Sequence, residues 1–347
     1  MYRIVIAPDS FKGCMSSREV AAAMAAAASE CWPEAEIVEL PLADGGEGTL
    51  DVLAGPLNAR IMRADVHDPL GRAVSARYAI AGETAIIEVA EACGMGLLSA
   101  KERNPLVASS AGVGELVMAA YSNGCRHFVI GLGGTVTCDG GAGMLSVPGI
   151  KGLKDCSFEL LCDVDNPFVG PQGAARVFAP QKGASPQDVE VLENRMIRLA
   201  ETYLHETGTD VSSLPGAGAA GGLGGAFMAY FHAKTVSGID RVLDLLQFDS
   251  AITGANLIIT GEGKSDSQSL HGKVPYGVLK RAGGIPVALL SGRIDNPQDF
   301  EAGGFHAVIE ISPKDIPLQV AMDPDVTRLN LKQRGFPALK IGRGVVV

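Results

Sequence analysis

Tyr2–Ala7 is a short apolar run that ends at Pro8-Asp9-Ser10, the pattern of a buried strand running into a loop. Ser16 with Glu19 makes a capping box, and the Ala-rich stretch from Val20 to Cys31, stopped by Pro33, predicts a helix. Ile37–Leu42 predicts the next strand, closing at Ala43-Asp44-Gly45-Gly46. Strand, helix and strand with short connections form a βαβ unit, which predicts a parallel sheet. The middle of the chain reads differently. Arg60–Ile80 holds two alternating segments around Asp68-Pro69-Leu70-Gly71, the mark of an antiparallel hairpin. Ala85–Val89, His127–Leu132 and Leu160–Cys162 predict strands, and Gly112–Asn123 a helix. Ser185-Pro186 supplies a cap and a first-turn proline for a further helix. Leu192, Met196, Leu199 and Tyr203 give that helix one apolar face, and Gly208 ends it. Leu223–Phe231 reads as a buried helix, and Leu257–Thr260, Pro286–Leu290 and Ala307–Ile311 as buried strands separated by helix-length segments. The parallel pattern of the start thus returns at the end. The expectation is an α/β protein of two domains: an open parallel α/β domain made from 1–60 and 250–347, and a second α/β domain, 61–249, inserted into it.

Composition narrows the class. The 347 residues are 47% hydrophobic and 20% charged, which suits a large core, but only 5% aromatic. With 44 glycines, the core must be built from small and aliphatic side chains, and many turns can bring backbone close to a ligand. A formal charge of −10, with Lys and Arg thinly spread, argues against nucleic-acid binding by a basic surface. Seven cysteines without a Cys-x-x-Cys pair argue against a disulfide framework or a structural zinc site. The chain shows no leader pattern, and its longest apolar run, Val20–Ala28, is too short to span a bilayer. These features predict a cytoplasmic enzyme with no membrane partner.

The chemistry lies in loops. Five predicted strands lead into loops that carry carboxylates, 9–13, 44–49, 133–141, 163–166 and 260–266, and all but 163–166 combine them with Gly. In open α/β sheets ligands sit at the carboxyl ends of strands, so these loops can converge. Glycines let backbone N–H groups approach phosphate oxygens, carboxylates hold Mg²⁺, and lysines neutralise a moving phosphoryl group. Gly, carboxylate and Lys together are the inventory of phosphoryl transfer.

Two motifs look stronger than they are. Gly263-Lys264-Ser265 follows a strand like the end of a P-loop, but the pattern needs Gly at 258, where Ile258 stands, and Glu262 would set a negative charge in the cradle. Gly216-Ala217-Gly218-Ala219-Ala220-Gly221 matches the dinucleotide fingerprint by letter but does not follow a clear strand. Two readings of it stay open: close helix packing on small residues, and a phosphate or substrate contact at the N-terminus of the next helix. His271 reads as a solvated loop histidine. Cys138 reads as a small filler, since no His or basic residue lies beside it in the chain to activate it.

The ordered set of motifs resembles one family. Ile6-Ala7-Pro8-Asp9-Ser10-Phe11-Lys12-Gly13, Ala43-Asp44-Gly45-Gly46-Glu47-Gly48-Thr49, Cys162-Asp163-Val164-Asp165-Asn166-Pro167, Pro180-Gln181-Lys182-Gly183-Ala184, the segment 215–224 and Thr260-Gly261-Glu262-Gly263, with Asp266 and Gln268, are similar to those of the type I glycerate kinases. The resemblance runs in order from residue 2 to about residue 312. It departs in the loop the family usually writes Gly-Gly-Ser-Ala-Thr-Asn-Asp-Gly-Gly, where Thr135, Val136 and Cys138 replace Ser, Ala and Asn, and in a shortened segment, 145–157.

The resemblance implies a Rossmann-like and a flavodoxin-like α/β domain with the active-site cleft between them. It implies Mg-assisted transfer of phosphate from ATP to D-glycerate, with 2-phosphoglycerate favoured over 3-phosphoglycerate. On that footing Lys12, Asp163, Asp165 and Lys182 are the expected catalytic residues. Asp9, Ser10, Asp44, Gly45, Gly46, Glu47, Gly133, Gly134, Thr135, Asp139, Gly216, Gly218 and Gly261 are the expected substrate or nucleotide contacts, and Glu262 and Asp266 the expected metal ligands. Expected partners are glycerate and ATP, with a homo-oligomer also in view. Alternative readings are a kinase for another small hydroxy acid, an NAD-dependent oxidoreductase using 216–221, and a non-catalytic ligand-binding relative.

Overall fold

The computed structural model describes residues 2–270 and 272–342, with backbone alone for Gln268 and for 340–342. His271 therefore lies outside the described residues, as does the side chain of Gln268. The strands are β1 Arg3–Ile6, β2 Glu36–Glu39, β3 Arg60–His67, β4 Ala73–Ala81, β5 Thr84–Glu88, β6 His127–Gly131 and β7 Ser157–Leu161. They continue with β8 Lys234–Val236, β9 Leu257–Thr260, β10 Lys264–Ser265, β11 Val287–Ser291, β12 Arg293–Ile294 and β13 Ala307–Glu310.

Two compact units result. One uses both ends of the chain, up to Asp44 and from Ile239 onward, and the other is Gly45–Gly238. The sequence expectation put the divisions near 60 and 250. They fall earlier because the loop after Asp44 packs on the second unit's own sheet: a Cβ on Gly131, at the end of β6, would stand 2.4 Å from the Gly45 carbonyl oxygen.

In the first unit five parallel strands lie in the order β13-β11-β9-β1-β2. β1, β9 and β11 are buried almost throughout, which is why they read as unbroken apolar runs rather than as alternation. The capping box predicted at Ser16 forms: its side chain accepts from the Glu19 N–H and the Glu19 carboxylate accepts from the Ser16 N–H, starting helix Ser17–Cys31. That helix buries Val20, Ala21, Met24 and Ala28 against Ile4, Ile6 and Ile259. Burying Val20 and Met24 contributes roughly 1.5–3 kcal/mol each.

The second unit is a mixed sheet, β3-β4-β5-β6-β7-β8. The hairpin β3–β4 is antiparallel in register Arg60↔Ile80 to His67↔Ala73, and its turn closes on Gly71 at φ 80°. From β5 onward the pairing is parallel. Helix Pro186–Thr207 has the expected Ser185 cap and ends on Gly208 at φ 76°. Its apolar face joins a core of stacked Phe128 and Phe158 with Phe227 and Phe231. β8 is a strand the pattern did not announce. Two of its three residues are exposed, so no apolar run marks it.

Candidate functional site

β1, β9 and β11 end side by side, and the loops that leave them touch backbone to backbone. The Asp9 N–H donates to the Gly261 carbonyl at 2.8 Å. A Cβ on Gly261 would stand 1.8 Å from the Leu290 carbonyl oxygen, and one on Gly292 would stand 2.4 Å from that of Gly263. Glycine is required here for the close approach of the segments that leave β9 and β11, not for a left-handed backbone.

Above this junction lies a cavity of about 300 Å³, the lower end of the size range of small-molecule sites. Its polar lining is Asp9, Ser10, Lys12, Glu262, Asp266 and Lys273, joined by Lys264 and Arg293. One wall is apolar, made by Phe11, Leu318, Ala321 and Met322. Asp9 is buried and pushed up to about 8, first by desolvation and then by the neighbouring Asp44 carboxylate, with Lys12 opposing both. Its Oδ1 accepts from the Ser10 N–H at 2.7 Å. Burial also raises Glu262, although hydrogen bonds from Ser269 and Ser265 and the charge of Lys273 work against the shift. Lys12 is exposed at the cavity edge. Lys273 Nζ stands 4.0 Å from Asp266, and Arg293 is anchored to Glu310 at 3.2 Å and to the Lys314 carbonyl at 3.2 Å. Lys264 pairs with Asp295 at 2.8 Å, so it is not a P-loop lysine curled over phosphates. Lys273 and Arg293 lie outside the five loops the sequence singles out, although Arg293 follows β11 in Gly292-Arg293-Ile294-Asp295, a segment of the same kind.

Glu262 and Asp266, the expected metal ligands, do not form a cage. Glu262 Oε1 accepts from Ser265 Oγ at 3.0 Å, and Asp266 has a lysine beside it. Among the described residues no group of three or more His, Cys, Asp and Glu side chains is placed to hold a metal ion. A resident Mg²⁺, which needs near-octahedral oxygen ligation, is not prepared by these residues.

In the second unit the glycine loops pack on one another. A Cβ on Gly45 would stand 2.5 Å from Leu161 Cβ, and one on Gly133 2.7 Å from Gly46 Cα. Glu47 is exposed. The loop is tied down by Glu88 at the end of β5, whose carboxylate accepts from the Leu50 N–H at 2.5 Å and the Gly48 N–H at 3.3 Å. Burial pushes Glu88 up to about 7. Sequence reasoning missed this residue. It stands inside the run Ala85–Val89, which reads simply as a buried strand, and a single charge in such a run was the available signal.

Lys182 is 2% exposed. Its Nζ donates to Thr135 Oγ1 at 3.1 Å and to the Thr137 carbonyl at 2.7 Å, and burial lowers its pKa. Both contacts are to the protein's own 133–141 loop. Asp139 is likewise taken up: Oδ2 accepts from the Ser110 N–H and Oγ at 2.8 and 2.9 Å and from the Gly143 N–H, and Oδ1 from the Gly141 N–H at 3.1 Å. Cys138 is buried and its thiol pushed up to about 11, consistent with a filler.

The 216–221 segment is a packing element. Gly218 donates its N–H to the Asn166 carbonyl at 2.9 Å, and a Cβ on Gly221 would meet the Thr137 carbonyl oxygen at 2.1 Å. Gly216 and Gly218 are buried. Asp163 and Asp165 are exposed in the loop after β7, and Asp163 Oδ1 accepts from the Gly238 N–H at 2.9 Å. Gly134 is exposed and its carbonyl accepts from the Met95 N–H. No described helix is long and apolar enough to cross a membrane.

Comparison with known proteins matches this arrangement to one group. The glycerate kinase family model matches residues 4–153 and 150–336. The glycerate 2-kinase of Escherichia coli strain K12 is 42% identical over 311 residues, covering 81% of this chain and 82% of its own. The glycerate kinase of Bacillus subtilis strain 168 is 38% identical over 355 residues, covering 92% and 93%. A crystal structure assigned as glycerate kinase 2 of Salmonella typhimurium LT2 superposes with a TM-score of 0.81 at 37% identity, covering 98% of this chain and 99% of that one.

Proposed function

The chain belongs to the glycerate kinase family, and on that premise we propose that it transfers the γ-phosphoryl group of ATP to a hydroxyl of glycerate. The observation that carries this reading is the cavity at the ends of β1, β9 and β11, which Lys12, Lys273 and Arg293 line together with the buried carboxyls of Asp9 and Glu262, a lining suited to an anionic ligand. Phosphoryl transfer is mostly positioning and charge neutralisation, and these cations supply the second. Burial favours the neutral form of Asp9, which would not repel an anion and can donate a hydrogen bond to one.

In the reaction the glycerate oxygen bonds to the γ-phosphorus as the bond to the β–γ bridging oxygen breaks, releasing ADP. The hydroxyl proton passes to a carboxylate, for which exposed Asp165 is the candidate, with Asp163 beside it. Magnesium enters as part of the MgATP substrate rather than as a resident ion. Lys182, Glu88 and Asp139 are positioning residues that fix the 45–49 and 133–141 loops. The 2-hydroxyl is the favoured acceptor, supported by the likeness to the Escherichia coli glycerate 2-kinase. An NAD-dependent reading loses its support, since the 216–221 segment spends its closest approaches on protein backbone.

The test is a coupled ADP-release assay with purified protein, MgATP and D-glycerate, followed by phosphorus NMR of the product. Glycerate-dependent ADP release is expected, with the product resonance of 2-phosphoglycerate. Turnover with another hydroxy acid but not with glycerate would replace the substrate assignment, and a 3-phosphoglycerate signal would replace the acceptor.

A further inference from the structure

The six-stranded sheet ends on β3, and the orientation of its backbone can be read from its neighbour. The Arg77 N–H in β4 donates to the Glu91 carboxylate at 3.0 Å and so points away from Arg63, its partner in the ladder. In an antiparallel pair the N–H and C=O of one residue point the same way, and the direction alternates along the strand. Arg63 therefore turns its backbone groups outward, as do Ile61, Asp65 and His67. The His67 N–H behaves accordingly and is claimed by Glu115 Oε2 at 2.7 Å. The N–H groups of Ile61, Arg63 and Asp65 have no partner strand on that side among the described residues.

This strand is eight residues long, its edge closed at His67, where Gly112 packs against the carbonyl, whereas the edge strands β2 and β13 have four residues each and β8 three. An exposed edge on so long a strand is a template for another strand. The side chains say which one. Met62, Ala64 and Val66 pack toward the core, while Ile61, Arg63, Asp65 and His67 face solvent. If a second copy of β3 runs antiparallel about a twofold axis at Ala64, Arg63 stands directly opposite Asp65 of the other copy, and the symmetry repeats the pair. The same register sets Met62 across from Val66, extending the apolar face. The adjacent registers, centred on Arg63 or on Asp65, set Arg against Arg or Asp against Asp. Self-pairing of β2 would instead bring its terminal Glu36 and Glu39 together. Opposite charges directly across a strand pair favour one register and like charges disfavour the others.

We propose that β3 pairs with β3 of a second copy of this chain about Ala64, joining two sheets into one and making the enzyme an edge-to-edge dimer. The Arg63–Asp65 pairs select the register, and the outward N–H and C=O groups of Arg63 and Asp65 supply the ladder, which stops before Ile61 because its opposite residue, His67, is already held by Glu115.

Sedimentation velocity on the full chain tests this across micromolar concentrations, with circular dichroism and glycerate-dependent turnover as checks of folding. Wild type is expected to sediment as a dimer. Arg63→Asp and Asp65→Arg each set like charges in both symmetry-related pairs and should weaken the dimer by about tenfold or more. The double variant R63D/D65R restores opposite charges and should return dimerisation to near the wild-type value. A wild type that is monomeric throughout would overturn the proposal. So would a folded, active double variant that dissociates as readily as the single ones, or single variants that leave the dimer unchanged.

Discussion

Replacing Gly261 by alanine tests whether the meeting of three loop backbones, rather than any one side chain, sets the geometry of the cavity. The added methyl would start 1.8 Å from the Leu290 carbonyl oxygen, where real contacts of this kind stay beyond 3.0 Å. The 261–263 loop must therefore shift relative to β11 by at least about 1.2 Å, the difference of those two distances. The obstacle is a carbonyl in a central, fully buried strand, so it cannot swing aside like the end of a side chain. Overpacking of this kind costs about 1–3 kcal/mol of stability. The Gly261 carbonyl holds the Asp9 N–H, so the displacement passes to Asp9 and Lys12. A misplacement of about 1 Å at reacting groups lowers turnover by roughly a hundredfold. The assay is kcat from glycerate-dependent ADP release on protein shown by its melting curve to be folded at the assay temperature. Gly152→Ala is the control, because a Cβ there meets nothing within 4 Å and its backbone is not left-handed. If folded Gly261→Ala turns over within a few-fold of wild type, the loop junction does not set the catalytic geometry and the reasoning fails.

Other perturbations separate the proposed roles. Lys12→Ala and Asp165→Ala should each lower kcat/KM by at least about a hundredfold without moving the melting temperature, since both residues are exposed; unchanged turnover in either would remove that residue from the mechanism. Asp9 is raised to about 8, so its neutral form dominates below that pH and is lost above it. The KM for the anionic ligand that Asp9 contacts should therefore rise above pH 8, by up to about tenfold per pH unit, and Asp9→Asn should flatten that limb; an identical profile in the variant would refute the assignment. Lys182→Met leaves the Thr135 hydroxyl and the Thr137 carbonyl without their donor. It should cost about 1–3 kcal/mol, read as a lower melting temperature. It should also affect kcat more than KM, and a large rise in KM alone would restore a direct substrate contact.

The sequence disclosed backbone and hid side-chain partners. Ser16 with Glu19, Ser185 with Pro186, and Gly208 carry local chemistry that acts within one turn, so helix ends were legible to within a few residues. The hairpin announced itself through alternation, and the central strands through burial on both faces. Roles that depend on long-range partners were another matter. Lys182 looks like any lysine beside a glycine until the fold closes over it and aims it at a loop 45 residues earlier in the chain. Asp139 was read as a ligand carboxylate for the same reason that it caps a loop: both tasks need an acceptor among backbone N–H groups. The letters of the 216–221 segment fit two opposed physical uses of glycine, approach to phosphate and approach to protein, and only the Thr137 and Asn166 carbonyls distinguish them.

The position of β1 constrains how the chain is made. It lies between β2 and β9, with Ile4 beside Leu257, so this strand, once made, waits for one of its two neighbours until more than 250 further residues have been added. Everything that Gly45–Gly238 needs is synthesised in that interval, so this unit can complete its sheet first. Until β9 is made, helix Ser17–Cys31 can pack only on β1 and β2, and the part of its apolar face that meets Ile259 stays uncovered. Translation thus imposes an inside-out order of assembly, and the segment up to Asp44 is where a nascent chain depends most on chaperones or on rapid elongation.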